Sequence, residues 1–182
     1  MSAQQGAREL VILVDEDSNP IGEALKSEVH TTDTPLHLAF SSYIRNENGE
    51  VLITRRAITK KTWPGVWTNS ACGHPAPGEK QADAVARRAE YELGLKVEEQ
   101  EEVLPDFRYR AVDFSGIVEW EICPVYLAKA HNQPTPNPDE VCDYRWVAPA
   151  DLFAAIDATP FAFSPWMVKQ LSDERMRAAL LK

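Results

Sequence analysis

The sequence lacks the features that mark membrane and secreted proteins. No apolar run approaches the roughly 20 residues that span a bilayer. Only three of the 182 residues are cysteine, and a small odd number does not suggest a disulfide framework. The N-terminal segment has one short apolar run, 10–14, with acidic residues directly after it, so it does not have the basic and apolar regions of a signal peptide. These absences predict a cytoplasmic protein that has free thiols and no membrane contact.

The chain also lacks a positive net charge. Its formal net charge of −9 at pH 7 argues against binding to nucleic acid, which requires cations that neutralise phosphates. One segment differs, because residues 54–63, TRRAITKKTW, contain Arg55, Arg56, Lys60 and Lys61 but no acidic residue. Such a segment is either a solvated basic turn or a binding site for a small anion such as a diphosphate.

The length of 182 residues suits a single domain, 1–182, of which about residues 1–9 are expected to be flexible. Apolar runs predict strands, and two of these strands would form a hairpin across NENG. Helical spacing of apolar residues predicts helices, and Gly94 is expected to end the first of them. The predicted strands cover 10–14, 36–56, 116–130 and 140–147, and the predicted helices cover 79–95, 151–157 and 166–182. Two of these helices are expected to bury an apolar stripe, formed by Ala82, Val85, Ala89 and Leu93 in the first and by Met167, Leu171 and Met176 in the last. The last two strand regions would form a hairpin interrupted by a proline-rich loop. This order predicts an α/β fold, with a mixed, largely antiparallel sheet sandwiched by helices.

Residues 73–95 resemble a Nudix box, which reads Gly, five residues, Glu, seven residues and then R-E-U-x-E-E-x-G-U, where U is aliphatic. The matching positions are Gly73, Glu79, Arg87, Glu92, Gly94 and Leu95. The acids of such a box bind the divalent metal that accompanies a diphosphate. Arg88 and Tyr91 replace two of these acids, so we expect a diphosphate to be bound here without being cleaved.

Further motifs occur in the right order over residues 10–167, nearly the whole chain. They are HTTDTPLHLAFSSY, RRAITKKTWPGVWTNSACGHP, YRA, EWEICP and TPFAFSPWMV. Together with the degenerate box, they resemble the type 1 isopentenyl-diphosphate isomerases, Nudix-fold enzymes of isoprene biosynthesis. The resemblance implies reversible conversion of isopentenyl diphosphate to dimethylallyl diphosphate. One carbon of the alkene is protonated and another is deprotonated, through a tertiary carbocation.

The resemblance also implies a set of catalytic residues. Cys72 and Glu121 match the catalytic pair, Tyr109 an assisting hydroxyl, and Trp166 an aromatic wall whose face stabilises a cation. Without the resemblance, the Cys72 thiol could equally be a small buried side chain. Protonation of an unactivated alkene requires an acid, a base and little water, and these side chains would supply such a site.

Metal ions and a bound diphosphate complete the expected site. The resemblance implies that one ion is held by His30, His37, His74, Glu119 and Glu121. Both glutamates lie on one face of a predicted strand, and the mixture of nitrogen and oxygen ligands suits manganese, magnesium or zinc. Glu92 would join the diphosphate oxygens around a Mg²⁺ ion. The diphosphate contacts implied by the resemblance are Lys26, Arg56, Lys60 and Arg88.

Two other functions fit part of the pattern. A Nudix hydrolase of a nucleoside or isoprenoid diphosphate would share the box, but Arg88 and Tyr91 count against it. A structural zinc site could be built from Cys72, His74, His30 and His37, although it leaves the two strand glutamates and the basic segment unexplained. The expected partner is a small isoprenoid diphosphate, with the chain acting as a monomer or homodimer.

Overall fold

A computed structural model describes residues 9–182. Residues 1–8, which make up most of the segment expected to be flexible, lie outside the described residues. The strands are β1 Leu10–Val14, β2 Pro20–Leu25, β3 His37–Leu38, β4 Phe40–Arg45, β5 Val51–Arg56, β6 Trp67–Thr68, β7 Ala71–Gly73, β8 Val97–Leu104, β9 Arg108–Val112, β10 Val118–Ile122, β11 Val125–Ala130 and β12 Val141–Val147. The helices are α1 Lys26–Val29, α2 Gln81–Leu93, α3 Pro149–Ala158, α4 Pro165–Leu171 and α5 Glu174–Leu180, with a 3₁₀ turn at Pro160–Ala162.

The strands form two mixed sheets. The first has the order β2-β1-β3-β10-β9, and the second has the order β12-β5-β4-β11-β8 with β6 paired to β5 and β7 to β4. Most pairs are antiparallel, but β3 runs parallel to β10 and β4 runs parallel to β11. The predicted class, a mixed and largely antiparallel α/β fold, is therefore confirmed, although the strands divide between two sheets.

Two chain segments pass from the first sheet to the second side by side. The predicted strand 116–130 breaks at Cys123 and Pro124 into β10 and β11, and β3 continues into β4 past Ala39. The backbone N–H groups of Ala39 and Ser41 donate to the carbonyls of Ile122 and Pro124, at 2.9 and 3.1 Å. This crossing brings residues from both segments to the gap between the two sheets.

The predicted hairpin across NENG forms only at its closed end. β4 and β5 pair at Arg45 and Val51 and then separate, and the segment that carries β6 and β7 enters the opening between them. The second predicted hairpin is wrong, because β12 pairs with β5, whereas β11 pairs with β4 and β8. Apolar patterns identify strands, but they do not identify the partner of each strand.

Helices cover both faces of the second sheet, as predicted. On one face, Ala89 and Leu93 of α2 pack with Ile44 and Leu52. The opposite face packs against α3, α4 and α5 in the largest apolar cluster. Gly94 ends α2 in the left-handed conformation, with φ 62°, as the sequence predicts, although Ala82 at the start of the predicted apolar stripe is exposed.

The predicted C-terminal helix is divided into α4 and α5. The Asp173 side chain accepts a hydrogen bond from the N–H of Arg175 and so begins α5, since a short polar side chain satisfies the free N–H groups of a new helix. The predicted apolar stripe is confirmed, because Met167, Leu171 and Met176 are fully buried. Among residues 9–182, no helix has the length and hydropathy required to span a membrane.

Candidate active site

A cavity of about 630 Å³ opens beside the gap between β4 and β5. Of the residues predicted to form the site, twelve line this cavity: Lys26, His30, Arg56, Lys60, Cys72, His74, Arg88, Glu92, Tyr109, Glu119, Glu121 and Trp166. His37 is the exception, because it is fully buried behind the cavity wall. We use "cationic end" for the part formed by Lys26, Lys60 and Arg88, and "thiol end" for the part formed by Cys72, Glu121 and the three histidines.

Cys72 lies on β7, opposite Ser41 of β4. Its sulfur is 3.4 Å from the Ser41 Oγ and 3.3 Å from the Asn69 Oδ1. Burial raises the pKa of the Cys72 thiol to about 11, although the hydrogen bonds to Ser41 and Asn69 act in the opposite direction. At neutral pH the side chain is therefore a protonated thiol, a form that can donate a proton.

Three imidazoles surround the carboxylate of Glu121. His37 and Glu121 are directly opposite each other in the parallel pair β3 and β10, while His30 follows α1 and His74 follows β7. The Oε1 atom of Glu121 lies 3.3 Å from the Nε2 of His74, 3.4 Å from that of His37 and 3.8 Å from that of His30. The four side chains place one ligand atom each within 4.8 Å of one another.

The hydrogen bonds of this group show that it needs a positive charge. The Nδ1 of His37 lies 2.8 Å from the Pro35 carbonyl, which can only accept, so a hydrogen is on Nδ1, and in the neutral imidazole the Nε2 lone pair faces Glu121. Among the described residues, the buried Nε2 atoms of His30 and His37 have no hydrogen-bond partner. A lone pair facing a carboxylate is repulsive unless a proton or a metal cation lies between them. The residues present therefore fit a metal ion.

The protonation of His74 supports the same conclusion, whereas for His37 burial lowers the pKa but contact with Glu121 outweighs burial and raises it. Burial lowers the pKa of His74 to about 4, despite the opposing effect of Glu121, so its imidazole is neutral at physiological pH and can bind a metal. Burial raises the pKa of Glu121, but the neighbouring imidazoles of His30, His37 and His74 outweigh burial and hold it well below the usual value. Glu121 is thus an ionised carboxylate at neutral pH.

Glu119 lies beside this group without joining it. Its Oε1 accepts a hydrogen bond from the Thr62 hydroxyl at 2.6 Å, and its Oε2 accepts one from Tyr109 at 2.7 Å. The Tyr109 hydroxyl also lies 3.0 Å from the Oε2 of Glu121. A phenol has one hydrogen to donate, so Tyr109 bridges the two carboxylates and can serve only one at a time.

An aromatic wall closes the thiol end. Trp166 is only 2% exposed, its ring centroid lies 5.8 Å from that of Tyr109, and Trp63 meets it edge-on at 5.3 Å. The Arg56 guanidinium lies 5.5 Å from the Trp166 ring centroid and donates to the Thr62 carbonyl. Trp63 and Thr62 were not singled out by sequence reasoning, because their contacts depend on strands distant in the sequence.

At the cationic end, every cation has an acidic partner from the chain itself. Lys26 Nζ lies 2.5 Å from the Oε2 of Glu9, and Lys60 forms an ion pair with Glu140. Arg88 pairs with Glu92 and also lies 3.4 Å from Glu140. Sequence reasoning missed Glu9 and Glu140, and no local pattern identifies them, since each lies far along the chain from its partner.

The two departures from the Nudix box contact each other. The Arg88 guanidinium lies 5.0 Å from the centroid of the Tyr91 ring, and the same arginine neutralises Glu92, the remaining acid of the pair.

Of the basic segment, Arg56, Lys60 and Lys61 line the cavity, whereas Arg55 is exposed and donates to the Gly65 carbonyl. The basic segment is therefore only partly directed at the cavity.

Comparisons with known proteins agree with this arrangement. A NUDIX domain profile matches residues 35–167. The chain is 58% identical over 179 residues to an isopentenyl-diphosphate Delta-isomerase of Corynebacterium glutamicum, covering 96% of this chain and 95% of the relative. It is 52% identical over 178 residues to a protein of the same name from Kocuria rhizophila, covering 98% of this chain and 99% of the relative.

Solved structures show the same fold at low sequence identity. A Deinococcus radiodurans protein superposes with a TM-score of 0.69 at 21% identity, covering 90% of this chain and 98% of the other. A MutT protein from Methanosarcina mazei superposes with a TM-score of 0.64 at 20% identity, covering 81% and 97%. These similarities support the fold, and the high-identity relatives support a narrower assignment.

Proposed function

Because this chain matches the NUDIX domain profile and belongs to the isopentenyl-diphosphate Delta-isomerase family, we propose that it interconverts isopentenyl diphosphate and dimethylallyl diphosphate. The observation that carries the proposal is that one cavity is lined both by the cations Lys26, Lys60 and Arg88 and by the Cys72 thiol with the group around Glu121. A diphosphate and an alkene are the two parts of this substrate, and each requires one of these environments. The relatives' shared name favours isomerisation over hydrolysis.

The proton donor and acceptor follow from the resting protonation states. In the direction of dimethylallyl diphosphate, the Cys72 thiol gives its proton to the terminal CH₂ of the alkene, which leaves a tertiary cation at the branched carbon. The Glu121 carboxylate then takes a proton from the neighbouring CH₂, and the double bond forms there. In the reverse direction the two residues exchange roles. Tyr109, which bridges Glu121 and Glu119, assists Glu121 through its hydroxyl group.

The aromatic wall stabilises the carbocation and excludes water. The face of an aromatic ring carries negative charge density and attracts a cation. Trp166 is nearly completely buried, so its ring presents a fixed surface rather than a mobile one. Exclusion of water matters because water would add to the cation and give an alcohol.

A divalent cation, either Mn²⁺, Mg²⁺ or Zn²⁺, would be held at the thiol end by His30, His37, His74 and Glu121. Glu119 would become a further ligand by exchanging its hydrogen bond with Thr62 or Tyr109. Such an ion supplies positive charge that holds Glu121 in place and changes its proton affinity. We assign Mg²⁺ to the diphosphate, with Glu92 as its protein ligand.

The cationic end holds the diphosphate. Lys26, Arg56, Lys60 and Arg88 are its proposed contacts, and Arg88 replaces a metal-binding acid of the Nudix box with a phosphate-binding cation. This exchange favours retention of the diphosphate over its hydrolysis. Since all of these residues come from one chain, the proposed chemistry needs no second copy, whether the protein is a monomer or a homodimer. We place the activity in the cytoplasm, in isoprene biosynthesis.

Incubation with isopentenyl diphosphate and Mg²⁺ in deuterated water tests the proposal. We expect NMR to show loss of the terminal alkene signals and formation of dimethylallyl diphosphate with solvent deuterium in a methyl group. Release of inorganic phosphate or pyrophosphate, with the alkene signals of the organic product unchanged, would instead identify a hydrolase.

A further inference from the structure

The side chain of Asn69 is fixed between two strands. It is fully buried, and its Nδ2 donates to the carbonyls of Ser42 and Ala71 at 3.0 and 2.9 Å. Ser42 and Ala71 are directly opposite each other in the pair β4 and β7. Because both amide hydrogens have carbonyl acceptors, the orientation of the amide is determined and its oxygen points away from these strands.

The amide oxygen joins two groups of the thiol end. It accepts a hydrogen bond from the indole Nε1 of Trp166 at 2.9 Å and one from the Cys72 thiol at 3.3 Å. The Thr68 hydroxyl donates to the same oxygen at 2.9 Å. One buried atom therefore contacts the proposed proton donor on β7 and the aromatic wall on α4.

We propose that Asn69 is a positioning residue for the isomerisation, one that fixes the Cys72 sulfur and the Trp166 ring relative to each other. The inference rests on the proposed function. The proton must arrive at one carbon while the cation develops beside the ring, so the two groups must keep a constant separation. Near-attack geometry of this kind is sensitive to displacements of about 1 Å, which can change a rate by about 100-fold.

Other contacts hold α4 in place independently of Asn69. The Ser164 N–H donates to the Trp67 carbonyl at 2.8 Å, and Trp67 also forms an isolated parallel β-bridge with Phe163. These contacts secure the start of α4 against β6. Removal of the Asn69 amide should therefore leave the helix docked, while it releases the indole, the thiol and the Thr68 hydroxyl from their shared acceptor.

The test compares Asn69→Ala with Ser42→Ala. Ser42 is equally buried and donates to the same Ala71 carbonyl at 3.1 Å, but its side chain contacts neither Cys72 nor Trp166, so it controls for loss of a buried hydrogen bond. We expect kcat to fall by about 100-fold in Asn69→Ala with little change in KM, and kcat to stay near the wild-type value in Ser42→Ala. Asn69→Ser, which keeps a small donor for the Ala71 carbonyl, takes the place of the Ala variant if that variant does not fold.

A spectroscopic measurement separates positioning from general stability. The indole N–H resonance of Trp166 is identified in ¹⁵N-labelled protein by its absence from Trp166→Phe, and it should move upfield in the Asn69 variant but not in Ser42→Ala. An unchanged indole resonance, or an unchanged kcat in an active enzyme, would overturn the role given to Asn69. If the wild-type protein itself forms no dimethylallyl diphosphate, the proposed function fails instead, and this inference with it.

Discussion

The two ends of the cavity balance charge in opposite ways. At the cationic end, the chain's own acids already pair with Lys26, Lys60 and Arg88. At the thiol end, three imidazole nitrogens converge on the Glu121 carboxylate, and among the described residues no lysine or arginine pairs with this carboxylate. The charges of the cationic end are balanced before a ligand binds, whereas the negative charge of the thiol end is not balanced without a cation. This difference is consistent with our proposal that the cationic end binds the substrate and the thiol end carries out the chemistry.

Replacement of the thiol gives the largest expected effect. In Cys72→Ala, turnover should fall by about 100- to 10,000-fold, because a positioned acid or base contributes this much, while binding of isopentenyl diphosphate at the cationic end is retained. Cys142→Ala is the matched control, since this thiol is exposed. A near-normal rate in Cys72→Ala, measured by the NMR assay, would mean that Cys72 is only a packing residue. The thiol end would then not have the catalytic role that distinguishes it from the cationic end.

The reactivity of Cys72 should depend steeply on pH. Because its pKa is raised to about 11, the thiolate fraction and the rate of alkylation by iodoacetamide should rise about tenfold per pH unit between pH 7 and 10. Mass spectrometry of the Cys72 peptide in Cys142→Ser protein gives this rate at each pH. A plateau near pH 8 would mean that the group is largely a thiolate at neutral pH and is not the resting proton donor.

Metal binding at the thiol end should stabilise the fold. At 100 times the dissociation constant, Mn²⁺ should raise the free energy of unfolding by about 2.7 kcal/mol, and His37→Ala should remove most of this increase. His131→Ala is the control, because His131 is exposed and contacts Glu47 outside the cavity. Equal stabilisation of both variants in thermal melts would place the ion elsewhere.

The smallest effect is expected at the cationic end. Glu140→Gln removes the acid shared by Lys60 and Arg88, so a diphosphate should bind with less repulsion, and KM should fall by about fivefold, equivalent to about 1 kcal/mol. kcat should change little. Glu47→Gln removes the same charge from an acid outside the cavity. A loss of kcat in Glu140→Gln would show that Glu140 acts at the thiol end as well.

One cavity gathers most of the side chains that the sequence singled out, but the sequence did not predict how these side chains are arranged. The Gly94 cap and the burial of Met167 follow from local chemistry and spacing, so both could be predicted. The pairing of His37 with Glu121 joins strands that are distant in the sequence, and no local pattern specifies it. Asn69 was missed for a related reason, because its partner Trp166 is 97 residues away.

The division of roles within the thiol end is tested most directly by one titration. Glu119→Gln and Glu121→Gln are titrated with Mn²⁺ while bound metal and turnover are measured together. We expect excess metal to restore part of the turnover of Glu119→Gln. In Glu121→Gln it should restore occupancy alone, because an amide oxygen can bind a cation but an amide cannot exchange a proton in the useful pH range. Recovery of turnover in step with occupancy in Glu121→Gln would contradict the proposal, since Glu121 would then be only a ligand.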